Sequence, residues 1–575
     1  MVIQRKGAVF FSVVLSSTLA LASFTANANA EFNFTRLDAF AGTAGNAEII
    51  SFSSTENTVA STLGTGVELL SLSGGGFLSS RGIVDYSTAF NSIGDTLDGV
   101  SSVALDPLGR GFGIASLIPS MNGANAGKLG IFDFRAGSFS SLNILDVGFH
   151  PDSVSFSADG TKAVVANEGE YTLSGPGEAP GSVSVIDLSS VGVGSFAADI
   201  GALTNAAVTT VDFTTGNLGA GASIVPLRIN DTSAFAAANK HLYIEPEYVT
   251  SSGDEVFVTL QENNGVAVLD LNTGKFEKIH LLQNITQTVD ASDRDGPGGA
   301  QAALIDDVVT GMPMPDAMAT FEVGSNTYYV TANEGDFRGD DFERERVKDL
   351  SRADIDDATE AALDAIYGDF QDDDALGRLR ISNIDGNTDA DPELEELLMP
   401  GTRSISIWNA STGSLVGDTG SLENVLLELD PLKHNINDGD LGEFDKRSDD
   451  KGAEPESVIV QEINGKIIAF VGLERQNGVL ALDLTDPANI SVGNTTDAPF
   501  AGYVNDLGDF PFFSPESLLF IAGADSPTGS DLLLVGFEEA GGGIAVYSVA
   551  PVPLPAAFWL MVPAIASLVP RRRAS

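Results

Sequence analysis

Glu168, Glu262, Glu334, Glu474 and Glu538 each close an apolar run, and each follows a Pro-acid pair at a similar distance. The pairs are Pro151-Asp152, Pro246-Glu247, Pro315-Asp316, Pro455-Glu456 and Pro515-Glu516; the Glu lies 17, 16, 19, 19 and 23 residues beyond its proline. Carboxylates repeated in this way could supply the oxygen ligands that hard cations such as Ca²⁺ take. They could equally cap turns or accept backbone N–H bonds that fix one repeat to the next. Both roles are open at this point.

Two further acidic tracts stand apart from the repeat. NIDGNTDADPELEE, residues 383–396, alternates oxygen donors at Asp385, Asn387, Asp389 and Asp391. That spacing resembles the first half of a calcium loop, without an EF-hand's flanking helices or regular closing Glu. A solvated acidic loop is the other reading. DASDRDGPGG, residues 290–299, is a weaker loop of the same type. In ANEGDFR, Asp336 and Arg338 enter a charged segment where a guanidinium could hold a phosphate or carboxylate. Arg338, Arg344 and Arg346 also have Asp340, Asp341, Glu343 and Glu345 beside them as pairing partners.

The chain offers little else for catalysis. Its four histidines, His150, His241, His280 and His434, form no HExxH, and neither a GxSxG elbow nor a P-loop is present. His150 and His241 precede repeat openings, which suits packing or turn roles. Cysteine is absent, so thiol chemistry and disulfides are excluded. With 80 acids against 30 bases the net charge is −50, which repels phosphate backbones and excludes a nucleic-acid partner. Such a surface favours cations or basic partners.

The elements that must position these acids recur along the chain. Each Pro-acid pair opens a strand, a Ser/Asp/Gly turn leads to a second strand ending on the Glu, and a third strand usually follows. GSVSVIDLS at 181, GVAVLDLNTG at 265, SISIWNASTG at 404, GVLALDLTD at 478 and GGIAVYSV at 542 are such third strands. An earlier copy without the proline ends in GKLGIFDFRAG at 127. Short antiparallel strands in repeated groups predict an all-β fold, a β-propeller of WD/YVTN-like type with seven blades. A β-sandwich or β-solenoid is the other reading, though a sandwich would lack the repeated Pro-acid opening. Residues 189–240 read as a loop, and 337–403 as an acidic insertion between blades. RADIDDATEAALDAIYGDF predicts a helix there, with Ile355, Ala358, Ala362 and Ile366 on its apolar face.

The ends carry sorting information. Residues 1–30 have a basic start, an apolar stretch and Ala-Asn-Ala, which predicts a secretory signal cleaved after Ala30. Residues 550–575 combine VPLPA, a short apolar run and Arg571-Arg572-Arg573. This tail resembles the PEP-CTERM class, which implies an exosortase-type protease and a Gram-negative host making exopolysaccharide. An ordinary membrane anchor is the alternative.

HPDSVSFSADGTKAVVANEGE, EPEYVTSSGDEVFVTLQENNGVAVLDL, DASDRDG, TANEGDF, EPESVIVQEINGKIIAFVGLERQNG and ADSPTGSDLLLVG together resemble the choice-of-anchor I domain, over roughly residues 35–549. That family includes mesenchyme-specific cell-surface glycoproteins. The resemblance implies an exported propeller domain, residues 31–549, joined to a sorting tail that holds it transiently at the inner membrane. The expected function is a cell-surface or extracellular-matrix protein binding divalent cations, Ca²⁺ first, or an exopolysaccharide or other surface partner. Some members are labelled alkaline phosphatases, so a calcium-dependent phosphoesterase is the alternative.

Overall fold

The computed structural model describes residues 30–552 apart from 43–46, 93–95, 121–124, 136–138, 170–178, 232, 339–342, 390, 505–512 and 540–541. The segments expected to be a signal peptide, 1–30, and a sorting tail, 550–575, therefore lie outside the described residues, save Ala30 and residues 550–552. Asp340 and Asp341 lie outside them too.

Seven antiparallel sheets surround one axis. Their innermost strands, in chain order, are Ile50–Ser53, Val103–Leu105, Pro151–Phe156, Val249–Ser252, Met318–Val323, Pro455–Ile463 and Phe513–Ile521. Each packs against the next, and the seventh against the first, which closes the ring. Every blade has four strands, and the second carries one extra short edge strand, Leu97–Gly99. The last blade borrows its outermost strand from the start of the chain. Phe32–Ala41 pairs antiparallel with Gly543–Pro551, so both ends of the domain lock into one sheet. This is a seven-bladed β-propeller.

The middle strands of each blade are mostly apolar because both faces are covered. Lys162–Asn167 and Gly265–Asp270, for instance, are buried along nearly their whole length. One hydrophobic core fills each joint between blades. Ile114, Val165 and Ile186 meet between the second and third, and Val330, Ile407, Val471 and Leu480 between the fifth and sixth. Each such side chain contributes about 1.5–3 kcal/mol by burial.

Three expectations change here. Residues 189–240 are not one loop: they hold the short helix Phe196–Gly201 and Val208–Asp212, the fourth strand of the third blade. Its sequence, VTTVD, is too short and half-exposed to announce itself. The 337–403 insertion does not separate two blades but interrupts the fifth, between Asn326–Ala332 and its partner Ile405–Asn409. The predicted helix exists as Asp357–Tyr367, capped by Asp356, yet Ile366 is 71% exposed. Leu363 and Tyr367 face the core instead, because the helix docks through the side that also offers Glu360 and Asp364 to Arg352.

The insertion builds a second layer with other segments. Ile285–Val289 pairs with Asp307–Met312, which runs parallel to Leu398–Pro400 from the insertion. Val289, Val309, Phe370, Leu379 and Met399 form its own core. Arg403 rivets the layer to the propeller: buried to 1% exposure, it donates to Glu423, to the Asp290 carbonyl and to the carbonyls of Ser448 and Asp450. Among the described residues, no helix is long and apolar enough to cross a membrane.

Candidate functional site

The Asn-Glu-Gly corner that ends the second strand divides its labour by residue. Asn167 and Asn333 are fully buried and donate to the neighbouring third strand. Asn167 Nδ2 reaches the Ser182 carbonyl at 3.0 Å, and Asn333 Nδ2 reaches Ser406 Oγ at 2.8 Å. Gly169 and Gly335 turn the chain with φ of +87° and +84°, a region that favours glycine. A Cβ on Gly335 would lie 1.8 Å from the Gly401 nitrogen. The Glu between them is left to project toward the axis.

The Pro-acid opening works from the other strand. In the third, sixth and seventh blades the pairing register slips just after the proline, at Pro151, Pro455 and Pro515. The acid sits in this bulge, and a bulge re-aims its side chain. Asp152, Glu456 and Glu516 thus line an axial cavity of about 140 Å³, together with Asp316, Glu48 and Ser101. Glu48 is the first blade's acid and Ser101 its counterpart in the second. The proline rule missed Glu48 because Ala47 precedes it.

The opening acids and closing glutamates meet at the mouth of this channel. Glu168, Glu247 and Glu262 bring carboxylate oxygens within 4.8 Å of one another, and so do Glu334, Glu456 and Glu474. Crowding makes their charges costly. Burial first, then neighbouring carboxylates, hold Glu247, Asp316, Glu456 and Glu516 well above the ordinary carboxyl range. Burial chiefly pushes Glu262 up to about 7 and Glu48 to about 8. Glu538 stands at the matching corner of the seventh blade and adds to the field at Glu48.

Basic residues from outside the repeats answer part of this charge. Lys451 is buried and pairs with Glu334, with Glu454 at 3.2 Å and Asp336 at 3.8 Å. Burial opposes the Lys451 ammonium, but Glu334, Glu454 and Asp336 hold its pKa well above normal. Asp336, half-exposed at the rim, is raised to about 6 by partial burial and Glu334, against Lys451. Arg338 is buried beneath it and pairs with Glu245, with Asn230 Oδ1 at 3.4 Å. Lys451 carried no repeat signal in the sequence, whereas Glu245 precedes Pro246 as Glu454 precedes Pro455.

The acidic loop splits. Asp385 Oδ2 lies 2.8 Å from Arg228 and accepts from Ser382 at 2.6 Å, part of a buried network with Glu343. Asp389 and Asp391 gather instead with Glu395, within 4.8 Å and near the surface, while Asn387 Nδ2 donates to the Asp391 carbonyl. Arg346 pairs with Asp449 at 2.7 Å, across the fold rather than with its sequence neighbours. A cluster invisible in the sequence lies under the accessory layer. His434 Nε2 is 2.8 Å from Asp290 and 3.9 Å from Asp445, all fully buried, and burial raises both carboxyls to about 8.

A propeller with an acid-ringed axial mouth and an accessory layer is the class that fold and site define. The chain belongs to the choice-of-anchor I domain family, whose profile matches residues 48–487. Family and fold together describe a surface-associated β-propeller protein. Gigasin-3a of Magallana gigas is 27% identical over 188 residues, 30% of this chain. The chain spans 64% of that relative's length. Similar solved structures include the RRP9 WD40 repeats, at TM-score 0.44 and 9% identity, covering 90% of this chain and 100% of that one. Hydrazine synthase of Kuenenia stuttgartiensis aligns at TM-score 0.43 and 11% identity, covering 90% and 98%. The blade count rests on the strand pairing of this chain itself.

Proposed function

We propose that this protein is an exported surface or matrix propeller that binds divalent cations, calcium foremost, at its acid-lined channel mouth. The observation that supports this reading is the convergence of opening acids and closing glutamates on one mouth, where burial and mutual repulsion raise their pKa values. A 2+ ion coordinated by several carboxylates offsets that repulsion and replaces lost hydration. Asp389 and Asp391, with Glu395, offer a second, exposed set of oxygens on the insertion. Delivery would follow the two ends of the sequence: cleavage after Ala30, then transient holding at the inner membrane until an exosortase-type protease releases the tail. Mass spectrometry of the exported protein reads both cuts directly. The surface partner would be an exopolysaccharide or other matrix component bridged through bound cations.

The test is calorimetry and thermal melting of the exported chain with Ca²⁺ after chelator treatment. Binding heat and a rise in melting temperature are expected. The absence of both overturns the cation-binding reading.

A further inference from the structure

Among the described residues the same three-carboxylate arrangement occurs twice at the mouth, and the two copies are completed differently. In each, the closing Glu of one blade meets the opening acid and closing Glu of the next. Between the fifth and sixth blades these are Glu334, Glu456 and Glu474; between the third and fourth they are Glu168, Glu247 and Glu262. At the fifth–sixth joint the chain supplies its own cations. Lys451 sits on Glu334, and Arg475 Nη2 lies 3.0 Å from Glu474.

At the third–fourth joint, no lysine among the described residues pairs with Glu247 or Glu262. Arg338, the guanidinium whose charge reaches Glu262, is committed to Glu245 and Asn230. His150 Nδ1 lies 3.1 Å from Glu168 Oε2. Oε2 of Glu247 and Oε2 of Glu262 are buried with no N–H or hydroxyl donor, in residues only 8% exposed, and the two carboxyls are left against each other. Buried carboxylate oxygens are rarely left so, because each forfeits its hydration with nothing in return.

We propose that Glu168, Glu247 and Glu262 form the seat of one divalent cation, and that Lys451 and Arg475 stand in for that ion at the equivalent joint. The proposal rests on the cation-binding reading above and gives it an address. The donor set is all oxygen apart from His150 beside Glu168, which suits Ca²⁺ over thiolate- or imidazole-seeking metals. Three carboxylates, each able to bind through one or both oxygens, together with water can reach the six to eight ligands of Ca²⁺. Water and ions have a way in, since the Glu168 side chain is 17% exposed. A second ion at the other joint would have to share its carboxylates with the Lys451 ammonium, and repulsion excludes it.

The test is Ca²⁺ calorimetry on the full exported chain and three paired variants. Glu247→Gln with Glu262→Gln should weaken the tight binding step at least about tenfold. Its metal-free melting temperature should hold or rise, because the amides relieve repulsion. Glu456→Gln with Glu474→Gln, and Asp389→Asn with Asp391→Asn, should leave that step in place. If the first pair fails to fold, Glu262→Gln alone takes its role. Lys451→Gln adds a signature that a merely structural role would not give: a second Ca²⁺ step should appear. A tight step that survives Glu247→Gln with Glu262→Gln overturns the proposal. If that step is lost instead in the Asp389–Asp391 pair, cation binding stands and only the address fails. No Ca²⁺ binding by the parent chain overturns both.

Discussion

Lys451 donates its buried ammonium to Glu334, 117 residues away in sequence, across the joint between the fifth and sixth blades. The lysine comes from the stretch that leads into the sixth blade, so this pair ties that stretch to the axial mouth. Glu454 completes the knot. Burial alone would raise the Glu454 carboxyl, but Lys451, Arg447 and Arg475 together hold it well below the ordinary range.

Replacing Lys451 by methionine leaves Glu334 and Glu454 buried with one cation fewer. Breaking a buried pair from one side costs about 3–5 kcal/mol. Urea unfolding should show a loss of that size, partly restored by Ca²⁺. A loss below about 1 kcal/mol, the scale of an exposed pair, would mean the contact is not held in solution.

Gly335→Ala tests the Asn-Glu-Gly corner. The added methyl meets the Gly401 backbone and forces an alanine into positive φ. A destabilisation of about 2 kcal/mol or more is expected, well above that of a surface substitution. Gly465→Ala is a fitting comparison: it also has positive φ, but open space surrounds it. Equal effects at both sites would show that backbone strain, not the Gly401 approach, sets the cost.

Arg403→Met should loosen the accessory layer before the propeller. Its guanidinium holds carbonyls of Asp290, Ser448 and Asp450 together with Glu423, all buried. Limited proteolysis should cut within 337–403 at a rate well above that of the parent chain, while the blades persist. Unchanged digestion would assign the anchoring to the apolar contacts of Val289 and Met399.

The pH dependence of stability follows from the raised carboxyls. Glu48, Asp290 and Asp445 sit at about 8 when folded against ordinary values of 4.5, 3.8 and 3.8, with burial the first cause in each. Between those limits the folded state holds protons that the unfolded chain releases. Stability from these groups is therefore greatest in acid and lost as pH rises from about 4 to about 8. Glu454 runs the other way below 4.5, and His280 and His434, held below the ordinary imidazole range by burial, run the other way up to about 6.5, so the carboxyl effect stands alone above that. Metal-free melting temperature should fall from about pH 6.5 to about pH 8 at fixed ionic strength. A rise over that range would contradict the raised values.

Much of this architecture was legible because a blade repeats its chemistry. Pro-acid openings, Asn-Glu-Gly corners and apolar third strands marked five blades directly, and the 127–133 strand marked a sixth. Outer strands such as Val208–Asp212 and Phe32–Ala41 were not legible, because half their side chains face water and pairing, not pattern, makes them strands. The candidate site was legible as two series of acids but not as joints between blades. Sequence spacing could not show that Glu168 faces Glu247, nor that a lysine from a patternless stretch would meet Glu334. The Asp290–His434 contact, 144 residues apart, has no sequence signal at all.

The most direct test is a crystal of the exported protein grown with Mn²⁺, which substitutes for Ca²⁺ at oxygen ligands and scatters anomalously. The account predicts an anomalous peak among Glu168, Glu247 and Glu262, and none beside Lys451. A channel mouth with no peak, or a peak shared equally with the Glu334, Glu456 and Glu474 joint, would contradict it.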